Sequence, residues 1–206
     1  QKPIRLRGVQ GEFAIPLSVR DDEVVSRAKL KLKFAHSPAL LFNSSHLNVL
    51  VNSELVGTIR INEQTAAGAE REIDIDPRLF VQYNQIGLQA IMSYTLDCQN
   101  PVDSTLWSIV SNTSTLELEV QPLALANDLK TLPQPFFDPR DSRPLTLPFV
   151  FTSPPGLAEL EAAGVIASWF GSIATYRAVS FPVYVNQLPT GHAVVISSNG
   201  ALPDGL

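Results

Sequence analysis

Ala28-Lys-Leu-Lys-Leu-Lys-Phe34 alternates without a break: Leu30, Leu32 and Phe34 fall on one side of an extended chain, Lys29, Lys31 and Lys33 on the other. A period of two marks a strand with one buried and one wet face, and hence an antiparallel sheet. The pattern recurs outward from this stretch. Leu47, Val49 and Val51 repeat it and run into the turn-like Asn52-Ser53-Glu54, while Ile73 and Ile75 alternate with Glu72, Asp74 and Asp76. Residues 11–19, 86–96 and 115–121 supply further strands. Many short strands set apart by turn residues, from Ile4 to about Pro122, predict a β-sandwich, plausibly a jelly roll, over residues 1–126.

Leu132-Pro-Gln-Pro-Phe-Phe-Asp-Pro-Arg-Asp-Ser-Arg-Pro144 breaks this grammar. Its prolines forbid regular helix or central strand, so residues 127–144 are expected to connect two domains. The pair Phe136-Phe137 indicates a connector that packs on something. Beyond it, residues 147–151 form an unalternated apolar strand, 157–170 a helix, and 181–185 and 193–197 two more strands. Unalternated strands mixed with a helix predict a parallel sheet covered on both faces. Residues 145–206 thus read as the first part of a doubly wound α/β domain, which ordinarily has five or six strands. Its open edge and bare side are expected to be covered by further chain or by a neighbouring molecule, that is, by self-association.

A strand, a turn and a helix are also how many proteins hold a phosphate. Ser153 is placed as the helix N-cap with Pro154 and Pro155 in the first turn. Two prolines would remove two of the backbone donors that such a site is made of. No glycine-rich run precedes them, so neither the dinucleotide fingerprint nor the P-loop is present.

The 206 residues are 45% hydrophobic and 17% charged, with a net charge of −5. That composition suits a globular chain with a good core. The negative balance argues against nucleic acid, which is bound by clustered Lys and Arg. No uninterrupted run of about 18 apolar residues is present, so no segment is expected to span a membrane. A chain starting at Gln1 reads as a processed or trimmed product. The lone Cys98 has no partner for a disulfide or a zinc site.

Candidate chemistry is sparse. Asp74 and Asp76, two residues apart on one strand face and so roughly 7 Å apart, have the spacing of an inverting glycosidase pair. Glu70 and Glu72 continue the same acidic row, which favours a solvated face. Ser26-Arg-Ala-Lys29 matches a Ser-x-x-Lys nucleophile pattern but sits in a strand where that motif needs a helix. His36 and His46 flank one loop and His192 stands apart; no metal-ligand spacing results, and surface positions on loops are expected. Asp21-Asp22-Glu23 offers oxygens for calcium, but reads better as a solvated turn. Trp107 follows the turn-like Asn100-Pro101 and either stacks on a sugar ring or plugs the sandwich core. Trp169 is expected in core or interdomain packing. No catalytic residue, cofactor site or metal site is expected, and so no enzyme.

Several patches nevertheless resemble one family. They are Leu6-Arg-Gly8 with Asp22-Glu-Val24, Phe34-Ala-His-Ser-Pro-Ala-Leu40, and Cys98-Gln-Asn-Pro101 followed by Thr105-Leu-Trp107. The most specific are Pro133-Gln-Pro-Phe-Phe-Asp-Pro-Arg140 and Ala167-Ser-Trp-Phe-Gly171, with Phe181-Pro-Val183 and Asn186-Gln-Leu-Pro189 after them. The family is that of the periplasmic regulatory B subunits of bacterial cellulose synthase. The resemblance implies a carbohydrate-binding-like jelly roll, then a flavodoxin-like domain of which this chain holds about half. It implies a periplasmic protein tethered to the inner membrane by an anchor outside this chain. The implied partners are the catalytic synthase subunit and, weakly, the nascent glucan that it guides. The family's customary name, cyclic di-GMP-binding protein, implies instead a nucleotide-binding regulator. If the jelly roll touches glucan, Trp107 is the first contact candidate and Tyr94 the second, with Asn100 and Asp103 as hydroxyl partners.

Overall fold

The computed structural model describes residues 2–124, 128–198, 200 and 202. The chain divides into two compact units, Gln1–Leu123 and Ala124–Leu206.

The first unit is a sandwich of two antiparallel sheets. One is organised by β3 (Glu23–His36), which carries the lysine–leucine alternation. On one side β3 pairs with β6 (Ala69–Ile75); on the other it pairs with β9 (Thr115–Pro122) and, at its far end, with β8 (Trp107–Val110), which in turn pairs with β1 (Ile4–Arg7). The second sheet runs β2 (Gln10–Ser18), β7 (Tyr83–Ile91), β4 (His46–Val51), β5 (Glu54–Arg60). Leu30, Leu32 and Phe34 are buried with Leu47, Val49, Val51, Ile86 and Leu88, so the even-numbered face of β3 meets its counterparts between the sheets. The lysines stand on the wet face, where Lys29 meets Glu72, Lys31 meets Glu117 and Lys33 meets Glu70 across strands. Such exposed pairs contribute little stability. They do favour this register, because opposite charges face each other across the ladder.

Local chemistry fixes the turns. Asn52 and Ser53 have φ of 52° and 72° between β4 and β5, the two left-handed positions of a type I′ hairpin turn. Pro16 is tolerated in β2 because that strand pairs with β7 alone and is an edge. A short helix, α1 (Glu63–Ala66), is capped by Asn62, whose side chain accepts from the Thr65 amide.

The second unit contains a β-α-β core. β11 (Phe149–Phe151) lies between β13 (Val183–Val185) and β14 (Val194–Ile196), both parallel to it. A separate parallel pair joins β10 (Leu145–Thr146) and β12 (Val179–Ser180). Helix α2 (Leu157–Ala174) packs Phe170 and Ala174 into a cluster with Phe149, Phe151, Leu147 and Phe137. Its other face leaves Leu157, Leu160, Val165 and Trp169 exposed. The core placement expected for Trp169 is therefore corrected: its ring meets Phe170 edge-on at 4.8 Å but is 45% exposed. By length and composition alone α2 is also apolar enough to cross a membrane. Glu159 and Glu161 interrupt the apolar run in sequence, but both fall in the helix's first two turns.

The proline-rich stretch is part of this unit's core. Phe137 is buried and Asp138 is wholly inaccessible. Asp138 accepts from the Arg140 guanidinium at 2.9 and 3.0 Å and from the Arg140 amide. Arg177 donates to the carbonyls of Asp138 and Asp141 and lies 4.2 Å over the Phe137 ring.

Candidate functional site

The sequence-based candidates gather in one loop between β7 and β8. Asn100 donates its amide to the Tyr94 hydroxyl at 2.9 Å, and its side-chain oxygen accepts from the Val102 amide. Asp103 accepts from both the amide and the hydroxyl of Thr105, at 2.8 and 2.7 Å. Those two bonds, the backbone one first, hold its carboxyl below the usual carboxylate range. Trp107 is the first residue of β8. Ser108 and Val110 turn inward and are buried, which puts Trp107 with half-buried Ile109 on the outer face. It stands directly opposite Arg7 of β1. Trp107 is therefore not a plug between the sheets. Tyr94, by contrast, packs against the core and reaches the loop with its hydroxyl. Nearby, Gln99 Oε1 is buried with no hydrogen-bond partner. The polar groups of Asn100 and Asp103 thus shape the loop first, and offer a ligand only the Asn100 amide hydrogens and the second Asp103 oxygen.

The two carboxylates are engaged separately, each by its own basic side chain. Asp74 is the last outward-facing residue of β6, with Oδ1 3.7 Å from Lys29 Nζ. Asp76 lies past the strand, where it caps the 3-10 turn Pro77–Leu79 and chelates the Arg78 guanidinium. The Arg78 side-chain bond, then its backbone bond, pulls Asp76 down to about 2 from 3.8, the opposite of what a general acid needs. Because the folded value is depressed, the Asp76–Arg78 interaction is complete above about pH 4 and is lost as pH falls through 2. A carboxyl carbon titration should therefore place the Asp76 midpoint near 2 and, in Arg78→Ala, return it towards 3.8. One midpoint near 4 in both proteins would refute the assignment.

The remaining candidates disperse. His36 is corrected from a loop surface to the core: it is buried, stacked near Phe34 and edge-on to Phe42, with Nδ1 3.0 Å from the Ser37 carbonyl and Nε2 2.9 Å from Thr65 Oγ1. The apolar alternation of β3 simply continues through it. His46 faces outward on β4, and His192 packs edge-on against Phe136 in the second unit. Arg20 takes Asp22 in a two-point ion pair and approaches Glu23 at 3.8 Å, so the acidic run at residues 21–23 is already engaged by its own neighbour. Ser26 sits on a β-bulge and donates to the Glu119 carbonyl. Cys98 is exposed and unpaired.

The expected phosphate turn also changes. Helix α2 starts at Leu157 with Gly156 as N-cap, not at Ser153, and both prolines lie ahead of it. Proline deletion of donors is therefore not the reason to doubt a phosphate there. The better reason is Glu159, whose carboxylate folds back to accept from the Gly156 amide at 2.7 Å. That backbone bond, with Ser198 adding to it, keeps Glu159 below the usual carboxylate range. An anion arriving at this helix start meets a resident negative charge.

Sequence reasoning missed two surface features, each assembled from several strands. The first is an apolar cleft of about 570 Å³ at the open edge between the sheets, walled by Phe13, Ile15, Ile4 and Leu116. The second is a polar row across the outer face of the four-stranded sheet. Thr58 Oγ donates to Asn48 Oδ1 (2.8 Å), Asn48 Nδ2 to Gln89 Oε1 (2.9 Å), and Gln89 Nε2 to Glu12 Oε1 (2.8 Å). Only the alternation of each strand hints at it.

Comparison with known proteins covers both units. Residues 1–122 match the family model described as cellulose synthase BcsB, first CBM domain, and residues 128–206 that of its first FD domain. A protein named cyclic di-GMP-binding protein from Xanthomonas axonopodis pv. citri is 49% identical over 202 residues, 97% of this chain and 26% of that protein. The protein of that name from Escherichia coli K12 is 39% identical over 202 residues, 98% of this chain and 26% of its own length. Cellulose synthase 2 of Novacetimonas hansenii is 35% identical over 197 residues, 96% of this chain and 12% of that protein. The chain therefore spans about a quarter of the length of the cyclic di-GMP-binding relatives, 26%. A solved family 35 carbohydrate-binding module from an environmental isolate aligns at a TM-score of 0.35 and 16% identity, over 59% of this chain and 76% of its own, too loose a likeness to argue from. With two consecutive domain matches in order and this chain aligned nearly end to end within its relatives, it belongs to the BcsB family of cellulose synthase subunits.

Proposed function

We propose that this chain is part of a non-catalytic accessory subunit of a bacterial cellulose synthase, supporting the catalytic subunit and guiding the nascent glucan. In this reading a jelly roll spans residues 1–126, a connector 127–144, and the first part of a flavodoxin-like domain 145–206. The subunit works in the periplasm, tethered to the inner membrane by a segment outside this chain. The observation that carries the proposal is the match of both units, in order, to one cellulose synthase subunit family. A non-catalytic role is supported by the separate engagement of Asp74 and Asp76 with Lys29 and Arg78. The glucan contact is assigned to Trp107 as platform, with Tyr94, Asn100 and Asp103 around it. It should be weak, because a polymer in transit must be released as each glucose is added.

A second reading, a regulator that binds cyclic di-GMP, rests on the name that the relatives carry. Glu159 at the start of α2 speaks against that helix as the place for it. Calorimetric titration of the chain with cyclic di-GMP and with cello-oligosaccharides separates the readings. Expected are no saturable heat with the nucleotide at physiological salt and millimolar binding of cellohexaose, about −4 kcal/mol in all, of which one aromatic contact contributes about 0.5–1.5 kcal/mol beyond area burial. The Trp107→Ala variant should lose the cellohexaose signal of its loop with the fold intact. Micromolar nucleotide binding would replace the first reading by the second, and glucan hydrolysis by the purified chain would refute both.

A further inference from the structure

The row Thr58–Asn48–Gln89–Glu12 crosses all four strands of its sheet, β5, β4, β7 and β2 in turn. Register places the four residues side by side: Glu12 opposite Gln89, Gln89 opposite Asn48, Asn48 opposite Thr58. Every donor points the same way, from the Thr58 hydroxyl to a carboxylate at the far edge, where Gln10 donates as well. Bonds aligned in one direction polarise each other, so the row holds its side chains in fixed orientations. It does not exhaust them. Gln89 and Asn48 each use one amide hydrogen and one lone pair, leaving one donor and one acceptor apiece. Oε1 of Glu12 takes both of its donors, which leaves Oε2 for a ligand. Glu12 and Thr58 are exposed and the two amides half-buried, so the unused groups face solvent.

One residue pair further along the strands, about 7 Å away, the chemistry switches. Ala14, Gly87, Leu50 and Leu55 form a second row in the same register, all on the same outer face. Gly87 keeps the floor of this row low beside Leu50; a Cβ there would stand 3.2 Å from Leu50 Cβ. A polar row therefore runs beside an apolar one, both perpendicular to the strands. Neighbouring strands lie about 4.8 Å apart, so the polar row repeats at that interval over roughly 14 Å.

We infer that this outer face is a second carbohydrate-binding surface, taking an extended β-linked glucan laid across the strands. A glucosyl unit in such a chain advances by nearly one strand spacing, so successive units meet successive polar residues. Equatorial hydroxyls along one edge of the ribbon meet the unused amide and carboxylate positions. The axial C–H face lies over Ala14, Gly87 and Leu50. The surface belongs to the opposite sheet from Trp107 and is a different site from that loop. The inference rests on the reading that the first unit meets glucan, and it adds a place and a geometry.

The test is an amide-resolved NMR titration of the 206-residue chain with cellohexaose, with the α-1,6-linked glucan oligomer of equal length as control. Expected are saturable shifts in the side-chain amides of Asn48 and Gln89 and the backbone of β2, β4 and β7, with cellohexaose only. Asn48→Ala and Gln89→Ala, each on an exposed face, should raise the Kd for these shifts about fivefold while leaving any Trp107-loop shifts in place. Dispersed spectra confirm that the variants are folded. Shifts confined to residues 94–107 overturn this inference and leave the glucan reading standing. No shifts anywhere overturn both. Equal shifts with the α-linked oligomer overturn the assignment to an extended β-linked chain.

Discussion

Replacing Asp138 by alanine is expected to unfold the second unit while the first remains native. Asp138 is wholly buried, and Arg140, only 12% exposed, is held by it through two guanidinium contacts. Removing the carboxylate takes away the two-point acceptor that holds the buried Arg140 guanidinium, a loss of about 3–5 kcal/mol. A folded domain has only about 5–15 kcal/mol in total. This unit has a short parallel sheet, and its helix leaves Leu160, Val165 and Trp169 exposed, so it stands at the low end of that range. The same substitution frees the loop whose carbonyls Arg177 grips. Backbone amide spectra should lose dispersion over residues 128–198 and keep it over residues 2–122. The double variant Asp138→Ala/Arg140→Ala should recover part of the loss, because it removes the guanidinium that the carboxylate held as well. Native spectra for Asp138→Ala would show that the connector does not hold this unit together.

The second large effect belongs to the sandwich. Leu47 is 1% exposed and is the first buried residue of β4, paired on one side with Ile59 and on the other with Ala90. Both sheets surround it, so the surroundings cannot collapse to fill the space that truncation leaves. Leu47→Ala should cost about 2–5 kcal/mol, read as a lower urea midpoint for the first unit with an unchanged slope. Leu55→Ala in the neighbouring strand is the control. That side chain is 55% exposed, and its loss should stay within about 0.5 kcal/mol. Equal midpoints for the two variants would mean that the core is not centred on β4.

The strand patterns were legible because they are local. Leu30, Leu32 and Phe34 against three lysines need no partner to be read, and neither do Val49 and Val51. Where local chemistry is ambiguous, the reading slipped. Strand β5 carries Gly57 and faces a bulge at Val49–Leu50, so its alternation is broken and no strand was read there. Ser153-Pro-Pro has every residue type of a helix start, yet the chain turns first and the helix begins at Leu157. His36, a polar side chain beside the loop at residues 37–45, gives no local sign of burial, although the strand's period carries it inward to Thr65.

The candidate site divides along the same line. The loop around Asn100 and Asp103 was visible because turn residues act on neighbours two or three positions away. The row of Glu12, Asn48, Thr58 and Gln89 was invisible: its members are separated by 10 to 77 positions in sequence. So are the partners of Asp138, whose backbone meets Arg177 from 39 residues away. By itself, the sequence determined which face of each regularly alternating strand turns inward, since that follows from the two-residue period of an extended chain. Tertiary structure alone decided which outward residues stand together, because a shift of register by one residue would break every pairing across the sheet without altering any strand's own pattern.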